Sequence, residues 1–260
     1  MSYLSSAIVL NWNESHVSVD TVRLLLNENV EVIVVDNGSE DGSFDKLKKE
    51  FGASAKVIGC NENYGSSIGR NLGIELASQE YTFLIDGDIL YVPGTISAYK
   101  AILKEFPEAA VVGYFDAEHR AKTGWAHGAR SREEADKKMS EIKNIADWYP
   151  VAWTQYGLFR TALLKKYKFV TIPPFNQYGY GLEDDWFYNQ LKADGHESLS
   201  VDKPFYYHDA HFSIRELTKK GLSDMAVERM RVYSKHWGVG NTSGEKLLKG
   251  IPLSFKRVAY

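Results

Sequence analysis

Three features of the sequence predict an α/β fold: a Rossmann-like, mostly parallel sheet with helices on both faces. Short apolar runs alternate with segments of helical pattern, the order that a parallel sheet with right-handed crossovers requires. The runs are apolar throughout, as in strands buried on both faces. Polar clusters follow the runs, at the carboxyl ends where ligands of such sheets bind. These clusters are Asn11-Trp12-Asn13, Asp36-Asn37-Gly38-Ser39, Asn61-Glu62-Asn63-Tyr64-Gly65 and Asp86-Gly87-Asp88.

In chain order, the first strand is expected over Ala7–Leu10, a helix over Thr21–Asn27 and a second strand over Val32–Val35. A short helix from Phe44 to Phe51 and a strand over Ala55–Ile58 follow. Ser66–Ala77 reads as a helix leading into the strand Tyr81–Ile85. Pro93 suits the first turn of a helix running to Phe106, and Ala109–Phe115 is a further strand. His119–Arg130 reads as a loop or irregular hairpin, and Ser131 caps a polar helix over Arg132–Asp147 with Glu134 as its capping-box partner. Pro173-Pro174 breaks the chain before a helix over Glu183–Ala193 that Gly195 stops. After His211 the alternation ends in a helical, basic annex.

Composition narrows the function classes. The 260 residues fit one domain with a modest annex, and 44% hydrophobic residues exclude a disordered chain. A net charge of −3 gives no global pull toward nucleic acid or anionic membrane. Cys60 is the lone cysteine, so no internal disulfide forms and a reducing compartment is favoured. No secretory leader is evident at the start, and no run approaches the ~20 apolar residues of a spanning helix. The expected location is cytoplasmic or peripheral at the membrane, with no transmembrane segment.

The chemistry is carried by acids and a few basic partners. Asp86 and Asp88, one Gly apart after a buried strand, repel each other unless a cation offsets them. Such a pair can converge on Mg²⁺ or Mn²⁺ and, through it, on a substrate phosphate. Taken alone, Asp-Gly-Asp is also an ordinary solvated turn. Asp36 at a strand tip can accept hydrogen bonds from a base or ribose, although Asp-Asn-Gly-Ser is equally a plain turn. Gly65, Gly69, Gly73 and Ala77 recur every fourth residue. Since helical glycine costs ~1 kcal/mol relative to alanine, the stripe needs a reason. Close packing on the sheet is one, with Arg70 beside it facing a diphosphate or base. No Gly-x-Gly-x-x-Gly fingerprint is present, which argues against a nicotinamide enzyme. Glu183, Asp184 and Asp185 begin a helix, where acids are favoured by its dipole. Flanked by Tyr180, Gly181 and Trp186, one of them can also serve as a base toward an attacking hydroxyl. His208 and His211 are each candidates to complete a metal site with Asp88.

In this order, Leu10-Asn11-Trp12-Asn13, Asp36 to Ser39, Asn63 to Gly73, Asp86-Gly87-Asp88 and Glu183-Asp184-Asp185 resemble the inverting, metal-dependent glycosyltransferases of the GT-A fold, in their second family. The stretch from Gly179 to Leu191 is similar to the acceptor-side motif of galactosyltransferases. The resemblance covers about residues 5–213. It implies that Asn11, Asp36, Asn37, Arg70 and Asp86 contact the donor nucleotide, and that Asp88 binds Mn²⁺ or Mg²⁺ with Asp86 and His208 or His211. It further implies that Asp184 is the base, and that Tyr180, Gly181, Glu183, Asp185 and Trp186 face the acceptor. The neighbouring charges of Glu183 and Asp185 are expected to raise the Asp184 pKa. Two positions depart from the pattern: Gly69 stands where alanine is usual, and Tyr180 where the galactosyltransferases have tryptophan.

The expected organisation is a glycosyltransferase domain over 1–213, with a nucleotide-sugar half to about 115 and an acceptor half from 116, then a basic tail over 214–260. The expected reaction moves a sugar from a nucleotide sugar, a UDP-sugar foremost, to a glycan, a lipid-linked glycan or a modified nucleic acid. A nucleotidyltransferase making nucleotide sugars shares the sheet but usually carries a Gly-rich, basic loop after its first strand, where this chain has Asn11-Trp12-Asn13-Glu14. A non-catalytic glycan-binding module is the other alternative. The tail, including Arg229, Arg231 and Lys235, is either a solvated annex or a surface for a polyanionic acceptor.

Overall fold

The computed structural model of the chain describes residues 3–114, 156–177, 182–201, 207–208, 223–237 and 256–257. The expected loop over 119–130 and helix over 132–147 lie outside them, as do Tyr180, Gly181 and His211.

Strands β1 (Ser6–Asn11), β2 (Glu31–Asp36), β3 (Lys56–Gly59) and β4 (Tyr81–Asp86) alternate with helices α1 (Ser15–Leu26), α2 (Ser43–Phe51) and α3 (Ser66–Leu76). Next come β5 (Ile89–Leu90), α4 (Thr95–Glu105), β6 (Ala109–Tyr114), β7 (Tyr156–Arg160) and α5 (Thr161–Tyr167). The chain continues through α6 (Glu183–Ala193), β8 (Glu197–Val201), β9 (Tyr207–His208), α7 (Ser223–Trp237) and β10 (Lys256–Arg257). The main sheet runs β10-β8-β6-β7-β4-β1-β2-β3, and β5 pairs with β9 in a small second sheet. All pairings in the main sheet are parallel except those of β7, which is antiparallel to both β4 and β6.

The absence of alternation in the strand sequences follows from burial on both faces. Ala7, Val9, Val32, Val34, Phe83 and Ile85 point to one core with Val22 and Leu25 of α1, Leu47 of α2 and Tyr99 of α4. Their neighbours Ile8, Ile33, Val35 and Leu84 point to the other, with Ile74 of α3, Leu164 of α5 and Phe187 of α6. A third, smaller cluster joins Phe175, Leu182 and Trp186 to Tyr233 and Trp237 of α7. The tail is therefore packed against α6, and it also supplies β10, an edge strand that its composition did not announce.

The glycine stripe is a packing device. A Cβ on Gly73 would stand 2.5 Å from the Ile8 Cγ2 and 3.2 Å from the Val35 Cγ2, so α3 lies on β1 and β2 only because residue 73 has none. At Gly69 the obstacle is the Leu10 Cδ1 at 2.5 Å, the end of a flexible side chain. An alanine would fit there if Leu10 turned.

Helix α1 starts at Ser15 rather than at Thr21 as expected. Serines and valines over 15–19 are poor helix formers. Burial of Val17 and Val19, and a hydrogen bond from Ser18 Oγ to Asn11 Oδ1 at 2.9 Å, override that preference. Helix α4 begins at Thr95, after a left-handed Gly94, so Pro93 precedes its first turn.

Candidate active site

The carboxyl ends of β1, β2 and β4 lie side by side, with Asn11 opposite Asp36 and Leu10 opposite Asp86. This register gathers the polar clusters that lie far apart in sequence. Asn11 is fully buried and donates through Nδ2 to Asp36 Oδ2 at 2.7 Å. Asp36 also accepts from the Ser39 amide at 2.9 Å and the Ser39 hydroxyl at 2.7 Å. Its carboxylate is thus enclosed within its own turn, where it fixes the β1–β2 tips. Asn37 reaches across to the segment before α3, donating to Asn63 Oδ1 at 2.9 Å and to Gly65 O at 3.1 Å.

Arg70, in the second turn of α3, is the hub. Its side chain is 3% exposed, and its Nη2 donates to both oxygens of Asp86 at 3.0 and 3.1 Å. Nη1 donates to Asp184 Oδ1 at 3.1 Å, from a residue 114 positions away in sequence. The ring of Phe169 lies under the guanidinium. Burial works against the cation, but Asp86, Asp184 and Glu183 more than offset it and raise the Arg70 pKa above its ordinary value. Asp184, expected beside its acidic neighbours alone, is thus in direct contact with a buried cation. Burial, with Asp184 adding to it, also holds the Tyr188 phenol well above its usual pKa.

Asp86 and Asp88 part company around Gly87. The Gly87 amide donates to Leu10 O at 2.7 Å, and a Cβ there would lie 2.9 Å from the same oxygen. That close approach turns Asp86 toward Arg70 and leaves Asp88, half-buried, leading into β5. Strand β9 pairs with β5 so that the His208 backbone lies opposite Ile89, the residue after Asp88. No trio of His, Cys, Asp or Glu forms a ready metal site among the described residues.

Across from α3, Leu182 adopts a left-handed conformation immediately before α6. Glu183 and Asp184 are both 8% exposed. Glu183 accepts from Ser66 Oγ at 2.8 Å and pairs with Arg229 Nη1 at 3.3 Å. Asp185 is half-buried. Trp186, expected to face the acceptor, is only 5% exposed and packs among Phe175, Tyr233, His236 and Trp237.

Arg229, expected with Arg231 and Lys235 on a polyanion-facing surface, is instead buried. The side chain is 1% exposed, whereas that of Arg231 is 72% exposed. The spacing held the signal: Arg229, Tyr233 and Trp237 recur every fourth residue and share the buried face of α7. Ser18 and Ser66 carried no comparable mark, since their roles come from partners distant in sequence.

The glycosyl transferase family 2 model matches residues 6–168. The glucosyl-dolichyl phosphate glucuronosyltransferase of Haloferax volcanii is 32% identical over 98 residues, which cover 37% of this chain and 31% of that protein. The hyaluronan synthase of Pasteurella multocida is 28% identical over 123 residues, 44% of this chain and 13% of that one. The chain thus spans well under half the length of either relative. Among solved structures, the mannosyltransferase PcManGT from Pyrobaculum calidifontis, in complex with GDP-Man and Mn²⁺, aligns with a TM-score of 0.58 at 15% identity. That alignment covers 95% of this chain and 69% of that one. TarS 1-349 from S. aureus in complex with UDP-GlcNAc aligns with a TM-score of 0.51 at 22% identity, over 80% of this chain and 58% of that one. At these identities the structural likeness establishes the fold, and the family match covers well over half of the 260 residues. The chain belongs to glycosyl transferase family 2 and is a glycosyltransferase domain of the GT-A fold.

Proposed function

We propose that this domain transfers a sugar, with inversion, from a nucleotide-sugar donor to a hydroxyl of a glycan or other polymeric acceptor, and that the donor is a UDP-sugar. The observation that carries the reading is Arg70, which holds Asp86 at the tip of β4 and Asp184 at the start of α6 within one hydrogen-bonded cluster. A buried cation at the strand tips suits the end of the site where a diphosphate binds. In the step itself, the acceptor oxygen bonds to the anomeric carbon while the bond from that carbon to the diphosphate oxygen breaks. The electron pair leaves with the nucleoside diphosphate, and the hydroxyl proton passes to the Asp184 carboxylate. Attack opposite the leaving group inverts the configuration. The Arg70 hydrogen bond to Oδ1 fixes the direction of the Asp184 carboxylate, which a base needs before it can accept a proton.

Asp88 with His208 or His211 would hold a divalent cation, and a carboxylate beside an imidazole suits Mn²⁺ as well as Mg²⁺. When bound, that ion supplies positive charge to the diphosphate leaving group. Asp86, committed to Arg70, serves the site by orienting the guanidinium. Mn²⁺ in the PcManGT complex supports the metal, and UDP-GlcNAc in the TarS complex supports a uridine donor.

Nucleotide sugars incubated with EDTA-treated protein, with and without added Mn²⁺, test the reading through release of nucleoside diphosphate. Release from a UDP-sugar that requires the metal is expected. Donor binding without release from any nucleotide sugar, with any metal or acceptor, would instead indicate a binding module.

A further inference from the structure

We propose that Arg229, in the basic tail, is a positioning residue for the transfer reaction: it fixes the start of α6 so that Asp184 meets Arg70. The inference rests on the reading of Asp184 as the base.

Arg229 spends its guanidinium on the two flanks of one short stretch. Nη2 donates to Gln177 O at 2.8 Å, and Nη1 pairs with Glu183 Oε2 at 3.3 Å. The Phe175 ring lies 5.0 Å from the guanidinium carbon. One side chain from outside the family-matched region thus holds both Gln177 and Glu183. The other Glu183 oxygen accepts from Ser66, the first residue of α3, and Arg70 follows one turn later on that helix. Glu183 is therefore clamped between α7 and α3, and Asp184 is the next residue.

The electrostatics give the clamp a consequence. Glu183 already acts on Arg70 through space, alongside Asp86 and Asp184. Without Arg229, a nearly buried carboxylate loses its own cation, and Arg70 is the next one available. Glu183 then competes with Asp184 for Arg70, and the base loses its fixed orientation. Burial lowers the Arg229 pKa and Glu183 raises it, so the cation is held at this place by that pairing.

The test uses the full chain with Mn²⁺ and assays hydrolysis of UDP-glucose, UDP-galactose and UDP-N-acetylglucosamine, with UDP affinity measured by calorimetry. Arg229→Met should lower kcat at least tenfold while UDP affinity stays within twofold, and Arg229→Lys should recover part of the loss. Combined with Glu183→Gln, Arg229→Met should add less than twofold, because both act through one link. Arg231→Met, on the exposed face, should leave turnover unchanged. If Arg229→Met fails to fold, Glu183→Gln and Arg229→Lys carry the test through the same split between kcat and UDP affinity. Normal turnover per folded molecule in the Arg229 variants, or effects that multiply with Glu183→Gln, would overturn the proposal. Asp184→Asn separates the two ideas: if it too hydrolyses donor normally, the reading of the base has failed; if it alone is inactive, only the role of Arg229 has.

Discussion

Arg70 and Arg229 are both buried cations, yet they are held in opposite ways. Arg70 faces the carboxylates of Asp86 and Asp184, and its pKa is raised. Arg229 pairs with the Glu183 carboxylate, donates to the Gln177 carbonyl and lies against the Phe175 ring, and burial lowers its pKa. The strand tips around Arg70 are set by sheet register, with backbone hydrogen bonds from Asn37 to Asn11 and from Gly87 to Leu10. The region around Arg229 is set by side chains of α6, α7 and the segment before α6. A site can thus have one rigid wall made by the backbone and another made by ion pairs, and the two should fail differently.

The largest expected effect on stability is at Arg70. Arg70→Met leaves two inward-facing carboxylates without their cation, and breaking a buried pair costs about 3–5 kcal/mol. Thermal unfolding reads this directly, and adding Asp184→Asn should recover part of the loss. A fall of less than about 1 kcal/mol would mean that the cluster is far wetter than its burial implies.

The backbone-built wall can be probed at α3. Gly73→Ala drives a methyl into Ile8 and Val35, at an expected cost of about 1–3 kcal/mol. Gly69→Ala meets chiefly the end of Leu10, with Asn37 at ordinary contact distance, and should cost less, so the order of their unfolding temperatures checks the packing.

How much of this was legible in the sequence follows from the same contrast. Strands β1, β2 and β4 fall within a residue or so of expectation, because continuous apolar runs ending in polar clusters are a local signal. The glycine stripe pointed correctly to α3 packing on the sheet. Antiparallel β7 was missed, since Tyr156–Arg160 is short, contains Gly157 and pairs only with distant strands. At the site, the acids were legible as residue types, but the bridge from Arg70 to Asp184 and the enclosure of Asp36 by Asn11 and Ser39 are products of tertiary structure. Arg229 was hidden by composition, being one of many basic residues in the tail, although its fourfold spacing with Tyr233 and Trp237 marked the buried face.

A smaller, pH-dependent effect belongs to the opposite end of the strands, where Glu31 begins β2. Glu31 is 6% exposed and accepts from Ser6, Ser78 and Lys56. Burial pushes its carboxyl up, but these partners outweigh it and leave the pKa below the ordinary 4.5. A carboxyl lowered in the folded state stabilises the fold above its unfolded value, and that stability is lost as pH falls through the folded value. Glu31→Gln should therefore lower Tm at neutral pH, with the difference shrinking as the solution is acidified below about pH 4.5. A difference that does not change with pH would remove the charge from the account. Smallest of all, Arg231→Met and Lys235→Met should change stability by no more than about 0.5 kcal/mol, since both lie on the exposed face of α7.

The central claim, that Asp184 is the base of a sugar transfer, is tested most directly by measuring donor turnover and donor affinity together in Asp184→Asn. The account predicts that kcat falls by about 10²–10⁴ while UDP-sugar affinity is nearly unchanged, because a base acts in the chemical step alone. Turnover at the wild-type rate in that variant, with Asp185→Asn inactive instead, would contradict it.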